Sequence, residues 1–323
     1  MAARSTSHRR CSFVLLLLLM MAEAGADANG GGPLAGSINV ALGRGDLPTA
    51  TLNHAASGAT CEVVLTGAHV TSWRTADGVE RLFLSSASEF GDGKAIRGGI
   101  PVCFPQFSGR GSLPKHGFVR TSSEWEIDAM TSDEQSTRLV LSLTDTPDSR
   151  ALWPHPFAVK YAVTLTAEAL TTELEVTNTG DAPLEYHAAL HTYFAVPDVS
   201  AVRVLGLRGL QYEDNANGAA VSREEADEVG IEGEVDRLYL DTPSKVLMRV
   251  PGWPGRGELA LSKTAGFPDL VVWNLGEAKA PSMADLGEGE WQRYVCLESA
   301  AVGKKVALLP GECVTASQTL AAS

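Results

Sequence analysis

Hydrophobic and polar residues alternate with a period of two along most of the chain beyond residue 36, and Gly, Pro, Asn and Asp interrupt the alternation at short intervals. This pattern is typical of antiparallel β structure, in which successive side chains point to opposite faces of a sheet. In the run FAVKYAVTL, five side chains share one apolar face: Phe157, Val159, Tyr161, Val163 and Leu165. The turn AEAL and the run TTELEVTN follow, so we predict a hairpin.

Similar short runs recur to the end of the chain: CEVVLTGAHVTSW, RLFL, TRLVLSLTD, VRVLGL, KVLMRV, GELALSK, DLVVWN, RYVCLES, KVALL and CVTASQTL. The stretch NLGEAKAPSMADLGEGEWQ is compatible with a turn or two of helix. No break in composition, fixed repeat or low-complexity linker divides the chain. The sequence therefore predicts an all-β fold, a large antiparallel β-sandwich that forms a single domain over residues 36–320.

The composition and net charge limit the kinds of molecule that the protein is expected to bind. The chain has 323 residues and a formal net charge of −13. General binding to nucleic acid or to anionic lipid needs a broad basic face, which this balance argues against. A small anionic ligand in a local basic pocket remains compatible. The five cysteines show no C-x-x-C spacing, so a disulfide scaffold is not expected and any pairing stays open.

Residues 1–28 have the layout of a signal peptide. Basic MAARSTSHRR precedes the apolar run CSFVLLLLLMMA, and the small-residue stretch AEAGADA offers A-x-A cleavage sites. The apolar run is shorter than the roughly 20 residues that a membrane-spanning helix needs. We expect entry into the secretory pathway and no stable membrane anchor after removal of the leader. A two-part plastid leader is the alternative.

The run LEYHAALHTYFAV places His187, His191 and Tyr193 on one face of a predicted strand. The two histidines would lie about 13 Å apart along an ideal strand, too far to bind one metal ion together. For either histidine alone, a hydrogen-bonded interior residue is the commoner case.

Positive charge gathers in IRGGIPVCFPQFSGRGSLPKHGFVR, a stretch too rich in Gly and Pro for a helix. A strand starting near Lys115 would point His116 and Arg120 to the same side, and Arg97 could reach that region from a turn. Arginine offers a planar fork that suits phosphate or carboxylate, whereas lysine offers a point charge. A loop kept soluble by scattered charges is the alternative.

The run RYVCLES places Glu298 on the same face as Tyr294 and Cys296. Glutamate is rarely buried without a partner or a function, and burial would raise its pKa and make it a better base near neutral pH. An edge-strand glutamate facing water is the commoner case.

Together these segments resemble the aldose 1-epimerase superfamily, and more closely its hexose-6-phosphate mutarotase branch. The motifs that carry the resemblance occur in order over most of the chain: IRGGIPVCFPQF, LPKHGFVRTSSEWEI, ALHTYFAV, EVDRLYLD, VVWN, KAPSMADLGEGEWQRYVCLES and LLPGE. The resemblance implies the galactose mutarotase-like supersandwich and interconversion of the α and β anomers of glucose 6-phosphate. It implies no metal and no cofactor.

The resemblance also implies a role for individual residues. His191 of H-T-Y-F would be the general acid that protonates the ring oxygen, and Glu298 of V-C-x-E the general base that removes the proton from the C1 hydroxyl, acting from opposite sides of the hemiacetal. Five further residues would bind the sugar phosphate: Arg97, Lys115, His116, Arg120 and Asp236. His116 and Asp236 would hold sugar hydroxyls, and the cations would hold the phosphate.

The sequence departs from the branch at Leu275-Gly276, where Pro-Trp is common after V-V-W-N, and directly after Glu298. A mutarotase of free aldoses and a non-catalytic carbohydrate-binding sandwich are therefore kept as alternatives, with a metal-dependent hydrolase using His116, His187 and His191 as a more distant one. The expected partner is a small sugar phosphate, not nucleic acid. Relatives of the branch are cytoplasmic, which is a further possibility for location. A monomer is expected, although the sequence leaves the oligomeric state open.

Overall fold

Antiparallel strands dominate residues 36–323, the part of the chain that the computed structural model describes. Every ladder between named strands in this part is antiparallel. The predicted all-β antiparallel sandwich is thereby confirmed. The leader predicted at residues 1–28 lies outside the described residues and stays a prediction. Within residues 36–323, no helix has the length and apolar character needed to cross a membrane.

The first eleven strands are β1 Ser37–Leu42, β2 Pro48–His54, β3 Ala59–Val64, β4 His69–Arg74, β5 Val102–Cys103, β6 Glu126–Ser132, β7 Ser136–Thr144, β8 Phe157–Thr166, β9 Ala169–Asn178, β10 Leu184–Leu190 and β11 Tyr193–Ala195. The remaining ten are β12 Arg203–Leu205, β13 Gln211–Asp214, β14 Ala220–Arg223, β15 Glu228–Gly230, β16 Val235–Tyr239, β17 Lys245–Arg249, β18 Glu258–Lys263, β19 Asp269–Asn274, β20 Tyr294–Leu308 and β21 Cys313–Ala322.

Helical structure is limited to short pieces. The α-helices are α1 Pro147–Leu152 and α2 Gly276–Lys279. The 3₁₀ turns are Arg44–Asp46, Thr66–Ala68, Val119–Thr121, Val199–Ala201, Asn215–Asn217, Ala280–Ser282 and Glu290–Arg293. Three of these pieces fall within NLGEAKAPSMADLGEGEWQR, which confirms the helical turns predicted there.

Three sheets make up the sandwich. Strands β1 to β4 form a four-stranded sheet in sequence order. An eight-stranded sheet has the order β14-β13-β16-β19-β20-β10-β5, and β11 also pairs with β20. A nine-stranded sheet has the order β15-β12-β17-β18-β21-β9-β8-β7-β6 and contains the predicted hairpin as β8 and β9. Sequence neighbours are thus often separated in space, which brings distant segments together.

One large apolar core lies between the sheets. It contains Leu52 from the first sheet, Leu190 from the second and Leu174 from the third, each at most 1% exposed. Burying such a side chain contributes about 1.5–3 kcal/mol. Strand β20 is buried on both faces from Tyr294 to Val302, because one face packs on this core and the other packs under loops. A residue on the loop-covered face of β20 is therefore removed from water.

The structure corrects three strand assignments. RYVCLES and KVALL form one strand, β20, rather than two. RLFL is not a strand, since Leu82 and Leu84 make only isolated bridges. The strand predicted from Lys115 is wrong, because His116 and Gly117 both have positive φ (64° and 73°) and a 3₁₀ turn follows.

The predicted strand over LEYHAALHTYFAV is broken in two places. The ladder between β10 and β20 shifts register between Tyr186 and Ala188, so His187 does not follow the alternation. Strand β10 then ends at Leu190, and β11 begins at Tyr193. The amide of His191 donates to the Pro101 carbonyl at 3.0 Å instead of joining a ladder with β20. His191 thus lies in a gap between two short strands.

His69 fixes the backbone beside the predicted site residue Arg97. Its Nε2 lies 2.7 Å from the Gly98 carbonyl oxygen, so Nε2 carries the proton and donates it. The next residue, Gly99, has φ 63°, and a Cβ there would lie 2.1 Å from the Val70 carbonyl oxygen. Only glycine fits this approach. Burial lowers the pKa of His69 from 6.5 to about 4.

We expect His69→Leu to lower the free energy of unfolding at pH 7 by about 1–3 kcal/mol, because the buried Gly98 carbonyl loses its donor. The wild-type protein should also lose stability as the pH falls from 6.5 towards 4, since the unfolded chain binds a proton that the buried ring excludes. His69 accounts for about 3 kcal/mol of that loss. The stability gap between wild type and variant should therefore narrow with acidification.

Urea denaturation at a series of pH values checks this expectation. His155→Leu makes the same chemical change at a partly exposed ring and serves as the control. If the free energy of unfolding changed with pH in the same way for wild type and His69→Leu, the expectation would be contradicted.

Candidate active site

A cavity of about 330 Å³ opens over the loop-covered face of the eight-stranded sheet. All seven side chains predicted as site residues line it: Arg97, Lys115, His116, Arg120, His191, Asp236 and Glu298. They come from loops, from the gap after β10, from β16 and from β20. The fold thus brings together residues that are as many as 201 positions apart in sequence.

His191 and Glu298 form the innermost pair. The Nε2 atom of His191 lies 3.5 Å from Oε1 of Glu298, and the two residues are 7% and 1% exposed. Among the described residues, His191 Nδ1 and Glu298 Oε2 have no hydrogen-bond partner. Buried polar atoms are usually satisfied, so these atoms are available to a ligand.

The surroundings push both groups towards their neutral forms. Burial, reinforced by the nearby Asp236 carboxyl, raises the pKa of Glu298 well above its ordinary value. Burial lowers the pKa of His191 well below its ordinary value, and His116, Arg97 and Arg120 act in the same direction. A carboxyl that holds its proton to higher pH, beside an imidazole that releases its proton readily, gives a pair that can share one proton.

His116 reaches the cavity from a strained loop. A non-glycine residue at φ 64° costs about 1–3 kcal/mol, and such residues concentrate at functional sites. The Ser108 amide donates to His116 Nδ1 at 3.3 Å, so the proton of the neutral ring lies on Nε2. Burial and then Arg120, Lys115 and Arg97 lower the pKa of His116 to about 3. The ring is therefore a neutral donor, and it lies 5.3 Å from the His191 ring between centroids.

Arg97 is already engaged on two sides. Its Nε and Nη2 donate to Oδ2 of Asp285 at 3.1 and 3.0 Å, and its Nη1 donates to the Tyr193 hydroxyl at 3.0 Å. The Tyr193 ring stacks on His191 at 4.7 Å with an interplanar angle of 6°. The guanidinium thus braces the aromatic ring on which His191 rests.

Arg120 and Lys115 carry charges that no carboxylate in residues 36–323 neutralises by an ion pair. Arg120 Nη2 donates to the Lys115 carbonyl at 2.9 Å, which holds the side chain along its own loop. The buried Nε of Arg120 has no partner among the described residues. Lys115 is exposed at the rim. The cavity therefore offers an anion two unpaired cations and a free donor.

Asp236 faces the pair from β16, and Asn215 donates to its Oδ1 at 2.9 Å. Burial raises the pKa of Asp236. Within residues 36–323, no hydrogen bond engages its other oxygen, which can accept from a hydroxyl.

Several cavity residues received no role from the sequence: Phe107, Arg110, Tyr193, Asn215, Trp273 and Asp285. Four of these residues, Phe107, Tyr193, Trp273 and Asp285, lie inside motifs that carry the family resemblance, and this position was the signal that could have identified them. Arg110 is paired with Glu213, and no local pattern connects two residues so far apart in sequence. The Trp273 ring meets the His191 ring edge-on at 5.6 Å and gives the cavity an apolar wall.

His187 does not line this cavity, whereas His116 and His191 do. Within residues 36–323, no group of three or more His, Cys, Asp or Glu side chains is placed to hold a metal ion. The described residues therefore do not form the metal site of His116, His187 and His191 that the sequence left as an alternative.

The chain is similar to several known proteins. A protein from Cenchrus ciliaris, named as a candidate glucose-6-phosphate 1-epimerase, is 39% identical over 259 residues, which are 78% of this chain and 78% of the relative. A protein of the same name from Escherichia coli (strain K12) is 33% identical over 246 residues, which are 73% of this chain and 78% of the relative.

The crystal structure of a candidate mutarotase from Salmonella typhimurium superposes with a TM-score of 0.79 at 25% identity, over 94% of this chain and 98% of that chain. The family model described as aldose 1-epimerase matches residues 48–321. This match spans all seven side chains of the cavity named above, and the chain belongs to the aldose 1-epimerase family.

Proposed function

We propose that the protein interconverts the α and β anomers of glucose 6-phosphate by acid/base opening and closing of the sugar ring. The observation that carries the proposal is the 3.5 Å approach of His191 Nε2 to Glu298 Oε1 inside a cavity lined by unpaired cations. The relatives named as glucose-6-phosphate 1-epimerases support the same substrate.

His191 and Glu298 serve the two oxygens of one carbon. Glu298 removes the proton from the C1 hydroxyl while His191 gives a proton to the ring oxygen, and the bond between C1 and the ring oxygen breaks. Both oxygens are bonded to C1, so the acid and the base must lie close together. That the two groups act from opposite sides of the hemiacetal stays a prediction.

Ring closure reverses these transfers. After opening, Glu298 holds a proton and His191 is neutral, and the aldehyde turns about the bond between C1 and C2. His191 then takes the proton of the C5 hydroxyl as that oxygen attacks C1, and Glu298 protonates the carbonyl oxygen. The pair carries one proton before and after each turnover, so the reaction is a net isomerisation.

The remaining cavity residues suit a phosphorylated sugar. The neutral His116 Nε2–H is a donor and Asp236 an acceptor for hydroxyl groups. Arg97, Lys115 and Arg120 form the positive side of the cavity, where charge-assisted hydrogen bonds would hold the phosphate.

The two alternatives fit the cavity less well. A free aldose carries no negative charge that could neutralise the unpaired Arg120 and Lys115. A pure carbohydrate-binding module has no need of a buried acid and base in contact. Anomer interconversion of the phosphorylated sugar uses both features.

We expect Glu298→Gln to lower the enzymatic rate of anomer exchange by about 10²–10⁴-fold, because a general base is lost while the shape of the side chain is kept. Burial already favours an uncharged carboxyl here, so the amide should be accommodated and the variant should fold. Exchange spectroscopy by NMR on glucose 6-phosphate, corrected for spontaneous anomerisation, measures the rate.

Glu224→Gln is the matched control, since Glu224 is also a buried glutamate but does not line the cavity. A fully active Glu298→Gln protein would refute the role of Glu298.

We expect Arg97→Ala to raise KM for glucose 6-phosphate about 10- to 100-fold and to change KM for free glucose far less, because a hydrogen bond to a charged group contributes about 1.5–3 kcal/mol. Steady-state kinetics on both sugars measures the difference. Arg138→Ala removes an arginine that is ion-paired with Glu173 outside the cavity and controls for loss of surface charge. An equal effect on both sugars would mean that Arg97 is purely structural.

A further inference from the structure

Only some of the positive charges in the cavity are neutralised by ion pairs with carboxylates. Arg97 is paired with Asp285, and Arg110 is paired with Glu213. Arg120 and Lys115 have no such partner within the described chain. Lys115 is exposed, so solvent screens its charge. Arg120 is only partly exposed and its Nε is buried without a partner, so its charge acts on the interior of the cavity.

His191 lies in the same cavity as these charged side chains. The titratable and charged groups around it are Glu298 from β20, Asp236 from β16, Tyr193 from β11, and His116, Arg97, Lys115 and Arg120 from the loops. Glu298 is the carboxylate in contact with His191, and it is itself buried. A proton on His191 is therefore opposed by burial and by two guanidinium groups, while the carboxyl in contact with it, Glu298, favours it and Asp236 lies farther along the same cavity.

The cations act differently on the two members of the pair. His116, Arg97 and Arg120 lower the pKa of His191. The pKa of Glu298 is set by burial and Asp236, with only Lys115 opposing them. Arg97 lies on the His191 side of the pair, since it donates to the hydroxyl of Tyr193, whose ring stacks on His191. Neutralising the arginines therefore favours a proton on His191.

Resting on the function proposed above, we propose that the phosphate dianion of the substrate activates the catalytic pair as well as anchoring the sugar. By neutralising Arg120 and Arg97, the dianion lets the single proton shared by Glu298 and His191 move to His191, the state from which ring opening begins.

The proton balance of this step is closed. In the empty cavity, Glu298 holds the proton as a carboxylic acid and His191 is neutral. When the dianion binds, the proton passes from the Glu298 carboxyl to His191 Nε2 across their 3.5 Å contact. Ring opening then moves the C1 hydroxyl proton to Glu298 and the His191 proton to the ring oxygen. No proton is gained from solvent or lost to it.

The consequence is that the phosphate acts on the rate of the chemical step as well as on binding. Interactions with a remote part of a substrate can be used in this way to lower the barrier at the reacting centre. The phosphate need not be joined to the sugar to have the effect. A free dianion and a free sugar should work together as two pieces of the substrate.

The test is anomer exchange of free glucose by the purified protein in the presence of increasing sodium sulfate. Sulfate is a dianion but a very weak base, so it adds little catalysis of its own. We expect a saturable increase of about tenfold or more in kcat/KM for glucose, which corresponds to about 1.4 kcal/mol of barrier. Sodium chloride at matched ionic strength should not reproduce the increase.

Two variants locate the effect. Arg120→Gln should abolish the activation by sulfate, whereas Arg138→Gln, at an ion pair outside the cavity, should retain it. In the Glu298→Gln protein, where the shared proton is absent, NMR of the histidine rings should show that sulfate raises the pKa of His191. The same measurement in Glu298→Gln combined with Arg120→Gln should show no such rise.

Three outcomes would overturn the proposal. Sulfate that only inhibits exchange of glucose, while glucose 6-phosphate is turned over normally, would mean that the phosphate is an anchor alone. Activation that survives Arg120→Gln would place the anion elsewhere. Failure to turn over glucose 6-phosphate in the same preparation would overturn the proposed function and, with it, this inference.

Discussion

The chemistry of this protein depends on one constraint, which is that a carboxyl group and an imidazole in contact are both withdrawn from water. Glu298 is 1% exposed and lies 3.5 Å from His191. In such surroundings, charge separation is expensive unless other charges compensate it. The pair therefore holds one proton whose position depends on the field of its neighbours. A site of this kind exchanges protons with a substrate readily, because neither the carboxyl nor the imidazole strongly favours its charged form.

The sandwich provides this constraint through the placement of two strands. Strand β20 is buried on both faces along its first nine residues, so Glu298 is withdrawn from bulk water and faces the cavity. The interruption between β10 and β11 frees His191 from the ladder and turns it towards Glu298, with its amide fixed on Pro101. Tyr193, stacked on the imidazole and hydrogen-bonded to Arg97, then limits the orientation of the ring. A regular strand through His191 would not have made this arrangement.

Periodicity predicted the strands well, because a half-buried strand shows its face in the sequence, as the β8–β9 hairpin does. The resemblance to a family named seven residues that the fold gathers in one cavity. What the sequence could not predict was backbone that departs from regular geometry. The left-handed His116, the register shift at His187 and the gap at His191 all depend on tertiary contacts with distant loops. The pairing of Arg97 with Asp285 likewise joins segments 188 residues apart.

The charge distribution resolves an apparent conflict in the sequence. A protein with a net charge of −13 repels a sugar phosphate on average, yet the cavity is lined by four cations. Two of these, Arg97 and Arg110, are paired with carboxylates, which weakens their field but keeps their donors in place. Arg120 keeps an unpaired positive charge where low-dielectric walls focus it, and Lys115 adds a solvent-screened charge at the rim. Since the same charge disfavours the protonated His191, an empty cavity is held in an inactive protonation state. The same positive charge attracts the substrate anion and disfavours a proton on His191. Binding of the anion neutralises this charge, so the inactive protonation state is relieved when the substrate binds.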